Sequence, residues 1–245
     1  MRHPSRRRIL TAALAGAVTG ATGCGAQQPT QPTAGTAQPA GTAQPTAPPV
    51  ANGNEALERL RAGNVRFVAA QEQDLDEGIA RRITVSKGQH PFATVLGCVD
   101  SRVPIELVFD QGLGDLVVVR SAGGALDQSV IGSIEFGIAE LHTPLLVVLG
   151  HQRCGALDAT MKALNHRTSH PGDLAYLVDT LAPAVQQIEG KPGDPLTNAI
   201  HANTGLILTK LRQSPVIGPL VKSGKLKLTA AYYELDTGKV TFRAT

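Results

Sequence analysis

Phe92-Ala93-Thr94-Val95-Leu96-Gly97-Cys98-Val99-Asp100-Ser101-Arg102 is an apolar run that ends in a thiol, an acid and a guanidinium. The stretch from Phe92 to Gly97 carries no charge and does not alternate, as expected of a strand buried on both faces. It predicts a strand that stops at Cys98. Two further apolar runs, Leu116 to Val119 and Leu145 to Leu149, read the same way, with Gly150 closing the second just before His151. Around them the spacing turns helical. Asn54 is expected to cap a helix carrying Leu57, Leu60, Phe67 and Val68, and a second helix is expected from Ile79 to Thr84. Residues 129–142, 155–165, 173–188 and 196–213 complete the helical set, and Leu226 to Leu235 with Val240 to Phe242 read as a hairpin across Asp236-Thr237-Gly238. Strands alternating with helices predict an α/β fold: a mainly parallel β-sheet flanked by helices, with an N-terminal helical arm and a C-terminal hairpin. Cys98 and His151 then fall just past the carboxyl ends of two strands, where open α/β sheets place their ligand sites.

Cys98 is matched further along by His151-Gln152-Arg153-Cys154. Two thiolates and one imidazole supply three zinc ligands and leave a fourth position open, the pattern of a catalytic site. Asp100 and Arg102 stand two and four residues past the first thiol, which brings acid–base chemistry close to the open position. Zinc with two thiolates and a neutral imidazole carries no formal charge. Water activated there is less acidic than at a three-histidine site, so activity is expected to favour mildly alkaline pH. Taken singly, each residue has a plainer reading: a buried Cys as a small hydrophobe, a capped loop histidine, a surface Asp-x-Arg pair. Their joint occurrence at strand ends favours the metal. His90, His142, His166, His170 and His201 lack ligand spacing and read as structural or solvated. Gly112 to Asp115 reads as a turn, since it lacks the lysine of a phosphate loop.

The first 53 of the 245 residues are not expected to contribute to the core. Residues 1–23 read as an export signal, with Arg2, Arg6, Arg7 and Arg8 ahead of a short apolar stretch too weak for a permanent anchor. Ser5-Arg6-Arg7-Arg8-Ile9-Leu10 resembles a twin-arginine signal, the alternative being an ordinary basic signal head. Ala21-Thr22-Gly23-Cys24 resembles a bacterial lipobox, which implies a lipid anchor on Cys24; the alternative is nearby cleavage and a soluble exported protein. Residues 24–53 are rich in Gln, Pro, Thr, Ala and Gly and read as a disordered tether, leaving 54–245 as the catalytic domain. The net charge of +3 becomes −1 once residues 1–23, with four arginines and no acids, are removed. No basic surface remains to argue for nucleic acid, and with no Trp and three Tyr there is little to stack on bases. Expected localisation is therefore outside the cytoplasm, periplasmic or on the extracellular face. Two thiols besides Cys24 would ordinarily suggest a disulfide in an exported protein. Export in the folded state offers the other route, zinc loaded first in the reducing cytoplasm.

Taken together, these motifs resemble the β-class carbonic anhydrases. The resemblance spans roughly residues 54 to 245 and includes Ala56-Leu57-Glu58-Arg59-Leu60 with Gly63-Asn64, Phe109 to Leu116, Ser133-Ile134-Glu135-Phe136, Gly150-His151 and Cys154-Gly155-Ala156. It implies one zinc ion (Zn2+) per subunit on Cys98, His151 and Cys154, with Asp100 and Arg102 as the catalytic dyad. It further implies Gln89 and the Gly155 amide as substrate contacts, Gln89 commonly serving the neighbouring subunit, and assembly as a homodimer or a multiple of dimers. The implied activity is reversible hydration of carbon dioxide to bicarbonate and a proton, a lyase reaction (carbonate dehydratase). Val117 stands where the family usually has Phe, Phe136 where it often has Tyr, and Ala122-Gly123-Gly124 where Ala-Gly-Asn is common. Val95 stands where the bicarbonate-inhibited branch carries Trp.

Three rivals remain at this point. The same zinc constellation serves relatives that hydrolyse carbonyl sulfide or carbon disulfide. A non-catalytic zinc-binding surface lipoprotein is a second reading, although metal storage has no need of an Asp100–Arg102 pair. The third is a Cys98–Cys154 disulfide with no metal.

Overall fold

Continuous apolar runs do form the centre of a sheet. In the computed structural model, which describes residues 49–73 and 77–243, β1 (Ala93–Cys98) is buried at every position and β3 (Leu145–His151) at all but Gly150. The signal-like residues 1–23, Cys24 and the tether as far as residue 48 lie outside the described residues. With β2 (Leu116–Ser121), β4 (Lys227–Tyr233) and β5 (Val240–Phe242) the strands make one five-stranded sheet in the order β2-β1-β3-β4-β5. All neighbouring pairs are parallel except the terminal hairpin β4–β5.

Alternate side chains of each strand serve opposite layers. One face presents Ala93, Val95, Val147, Leu149 and Ala231 to α1 (Gly53–Val68) and to the segment around α3 (Ile105–Val108). The other presents Leu96, Leu146, Val148, Leu228 and Ala230 to α4 (Gln128–Ala139), α7 (Pro195–Arg212) and α8 (Ile217–Lys222). A third apolar cluster joins α7 to α5 (Gly155–His166) and α6 (Asp173–Gln186), and Cys98 and Cys154 belong to it. The expected α/β architecture is observed. No helix among the described residues is long and apolar enough to cross a membrane.

Four local expectations need correction. The first helix is capped by Asn52 rather than Asn54: Asn52 Oδ1 accepts from the amides of Asn54 and Glu55 at 2.9 and 3.1 Å. Glu55 reaches back to the Ala51 amide at 2.8 Å, so an Asn-x-x-Glu box sets the start. Gly150 does not end β3, because β4 continues to pair with it through His151↔Tyr233 and the Gln152 amide donates to the Tyr233 carbonyl at 2.8 Å. α4 ends at Ala139 instead of running to residue 142, where His142 adopts a left-handed φ of 56°. The short helices α3 and α8, too brief to show apolar periodicity, were not anticipated. The α2 helix (Ile79–Val85) is as expected, one residue longer. The close approach of α1 to the β1–β2 connection depends on Gly63, where a Cβ would stand 1.8 Å from the Phe109 carbonyl oxygen.

Candidate metal centre

Parallel β1 and β3 are adjacent, so their carboxyl ends bring Cys98 and His151 side by side. The chain then turns through Gln152 and Arg153, with Arg153 at a left-handed φ of 54°, and Cys154 follows as the residue that caps α5. The Sγ atoms of Cys98 and Cys154 and one ring nitrogen of His151 all lie within 4.8 Å of one another. The three residues are 5, 2 and 1% exposed, and no disulfide joins the two sulfurs. The Cys–His–Cys constellation expected from sequence is thus brought together.

His151 makes the strongest argument for a ligand here. Its Nδ1 lies 3.0 Å from the carbonyl oxygen of Gln152, and because a carbonyl can only accept, Nδ1 carries the proton. Nε2 is left with a free lone pair, buried and with no hydrogen-bond partner. An orphaned buried acceptor costs stability unless something fills its coordination. Metal-bound histidines are held in this way by a carbonyl on the far nitrogen. The sulfurs show the same preparation. Cys98 is drawn down to about 4, chiefly by the hydrogen bond from the Cys154 thiol, against the opposing effect of burial. The Gly123 amide adds to the lowering. Cys154 is pushed far up by the hydrogen bond it makes to Cys98 and by burial. The two sulfurs therefore titrate as a pair rather than as independent thiols. A divalent cation would relieve that arrangement. The donor set, its burial and its orphaned nitrogen fit zinc.

Asp100 sits at the mouth of this cluster. Its Oδ1 accepts from the Arg102 amide at 2.9 Å and from Arg102 Nε at 3.0 Å, and its Oδ2 accepts from a second guanidinium nitrogen at 2.7 Å. This bidentate pair, the main cause, holds the Asp100 carboxyl at about 2. Oδ2 is also 3.9 Å from His151 Nε2, so the carboxylate faces the cluster while Arg102 holds it. Arg102 reaches across to the Arg153 carbonyl at 3.3 Å, joining the turns that carry Cys98 and Cys154.

The other two expected site residues are placed differently. Gly155 opens α5 beside Cys154, with nothing within 4 Å of where a Cβ would be. Gln89 is exposed on the connection before β1 and does not line the cavity behind the cluster. The cavity behind the cluster is walled by residues such as Leu157, Ile200, Asn203 and Ile207; Val117 and Phe136 do not line it, and Phe136 is 56% exposed. Val95 is fully buried in the core.

Several supports escaped the sequence reading. Arg120, at the end of β2, donates to the Cys98 carbonyl at 2.7 Å and to the Asp100 carbonyl at 2.6 Å. The Gly123 amide donates to Cys98 Sγ at 3.2 Å, and Asn203 Nδ2 donates to the Gly123 carbonyl at 2.7 Å. Asp236, in the β4–β5 turn, accepts from Gln152 at 3.0 Å and from both terminal nitrogens of Arg153 at 2.8 and 2.6 Å. The available signals were a charged residue closing an apolar strand and a Gly-Gly pair directly after it. Neither says what it will touch.

With this geometry established, comparison with known proteins is informative. A family model described as carbonic anhydrase matches residues 93–240. Carbonic anhydrase 2 of Mycobacterium tuberculosis is 37% identical over 202 residues, covering 80% of this chain and 95% of the relative. The carbonic anhydrase of Mycolicibacterium smegmatis is 38% identical over 199 residues, covering 80% and 96%. Among solved structures, the β-carbonic anhydrase CcaA superposes with a TM-score of 0.61 at 25% identity, over 77% of this chain and 95% of that one. A tetrameric β-carbonic anhydrase of Sordaria macrospora gives 0.61 at 18% identity, over 78% and 98%, and shares the fold. The chain belongs to the β-carbonic anhydrase family.

Proposed function

We propose that this protein is a zinc-dependent carbonic anhydrase that interconverts carbon dioxide and bicarbonate. The observation that carries the reading is the buried, unpartnered Nε2 of His151, set among two thiols with an Arg102-held carboxylate 3.9 Å away. Cys98, His151 and Cys154 would hold the ion. Zinc bound there supplies the Lewis acidity that makes water a nucleophile near neutral pH.

The chain's own residues do the rest. Asp100, kept ionised by Arg102, can only accept a hydrogen bond, so it would accept one from the O–H of the attacking oxygen and orient it. Arg102 also draws the carboxylate away from the ligand cluster, keeping the fourth position free for water. The Gly155 amide, at the start of α5 beside Cys154, would donate to a product oxygen. Gln89 adds a second donor on assembly, from the neighbouring subunit of a homodimer or larger even-numbered assembly. The signal-like N-terminus supports export, with Cys24 as the point of lipid attachment on the outer face of the membrane.

The test is metal content measured on the purified full chain, together with stopped-flow carbon dioxide hydration. About one zinc per chain and rapid bicarbonate formation are expected. Zinc with no hydration but with sulfide released from carbonyl sulfide or carbon disulfide would assign the sulfur-substrate activity. Zinc with neither activity would leave a binding protein.

A further inference from the structure

The support of Cys98 runs deeper than the residues that touch it. Beyond the ligand itself, Gly123 N–H points at the sulfur at 3.2 Å. That amide can point there because Gly123 and Gly124 adopt φ of 64° and 72°, two consecutive left-handed residues. The turn's own hydrogen bonds, from the Ala125 amide to the Ala122 carbonyl and from Ser121 Oγ to the Ala125 carbonyl, bypass Gly123. Its carbonyl is held instead by Asn203 Nδ2 at 2.7 Å, from the middle of α7 and 80 residues away in sequence. Asn203 is 7% exposed, lines the cavity behind the ligand cluster, and sits among apolar neighbours such as Ile200 and Ile207 on the same helix. An amide buried at that position costs stability unless its hydrogen bond is made, and this one is made to the residue that donates to the ligand.

We propose that Asn203 is a positioning residue for the metal centre: through the Gly123 carbonyl it aims the Gly123 amide at Cys98 Sγ and so sets that sulfur's strength as a ligand. An N–H···S bond lowers the energy of the thiolate lone pairs. The same bond fixes the sulfur's direction relative to His151 and Cys154. Without Asn203 the turn keeps its glycines but loses its anchor, and the amide drifts from the sulfur. The assignment rests on the metal reading above.

Cobalt(II) in place of zinc reports on the thiolate directly. In the full chain substituted Asn203→Leu, which matches the amide in shape but cannot donate, the sulfur-to-cobalt charge-transfer band is expected to move to longer wavelength. Zinc release to a chelator is expected to accelerate about tenfold, the lower end of what lost support behind a metal ligand causes. Circular dichroism of the metal-loaded proteins checks that the fold is kept. Should Asn203→Leu fail to fold, Asn203→Ala carries the same two readouts. A band and a release rate unchanged from the parent in a folded variant would overturn the assignment alone. Absence of any charge-transfer band in the parent would remove the metal reading and this assignment with it.

Discussion

The two turns that carry the Cys–His–Cys cluster are built on different plans. The turn after β1 is largely self-contained: Asp100 and Arg102 are two residues apart and meet through three hydrogen bonds. The turn after β3 has no such internal pair. Gln152 and Arg153 point outward and are held by Asp236, more than 80 residues further along, while Arg153 takes a left-handed conformation. One turn is shaped by its own side chains and carries the proposed chemistry. The other is shaped by the terminal hairpin and carries two of the three cluster residues. Chemistry and binding are thus separable by substitution, although Arg102 links the two turns through the Arg153 carbonyl.

Removing a ligand should produce the largest effect and abolish that separation. His151→Ala is expected to lower bound zinc from about one ion per chain to background, with hydration lost in parallel; elemental analysis measures it. Arg102→Ala tests the self-contained turn. It should keep its zinc yet lose about a hundredfold in hydration rate, within the range for a positioned acid–base group. Full turnover in that variant would refute the role given to Arg102.

Arg120→Met tests the first turn from outside it, because Arg120 grips that turn from β2. Losing its bonds to the Cys98 and Asp100 carbonyls should cost about 1–2 kcal/mol, read from chemical denaturation, with a smaller loss of rate than Arg102→Ala. Asp236→Asn should have the least effect, since its ion pair with Arg153 is exposed at 59 and 50%. The Asp236 carboxyl is held at about 2, first by Arg153 and then by Gln152. A depressed carboxyl stabilises above its unfolded value of about 4 and loses that contribution as pH falls through its folded value. The difference in Tm between parent and Asp236→Asn should therefore be flat from about pH 8 to 5 and narrow below about pH 4. A larger loss of bound zinc in Asp236→Asn than in Arg102→Ala would confirm that the hairpin, rather than the dyad, shapes the second turn. The reverse would break the comparison.

The contrast also marks what could be read without coordinates. The strands were legible because a parallel sheet buried on both faces needs unbroken apolar runs, and Phe92 to Gly97 and Leu145 to Leu149 have no competing interpretation as long helices. The cluster was legible because Cys, His and Cys at strand ends combine chemistry with position. Ends of elements were less so. Asn52 and Asn54 are equally good caps by composition, and Glu55 decided between them by closing a box on Asn52. Gly150 looked like a stop, and only pairing with β4 carried the strand on to His151.

The α/β layering, the Cys98–His151–Cys154 trio at strand ends and the local Asp100–Arg102 pair are already legible in the residue order, since each follows from periodicity, element ends or residues a few positions apart. Tertiary structure alone decided which nitrogen of His151 is free. It also decided that Arg120 grips two carbonyls, that Asn203 anchors the Gly123 turn, and that Asp236 holds the second ligand turn. Those contacts join residues 20 to 84 positions apart. Their partners are mostly backbone groups, which every residue possesses. No side-chain pattern announces which carbonyl a guanidinium or amide will meet until folding brings the two together.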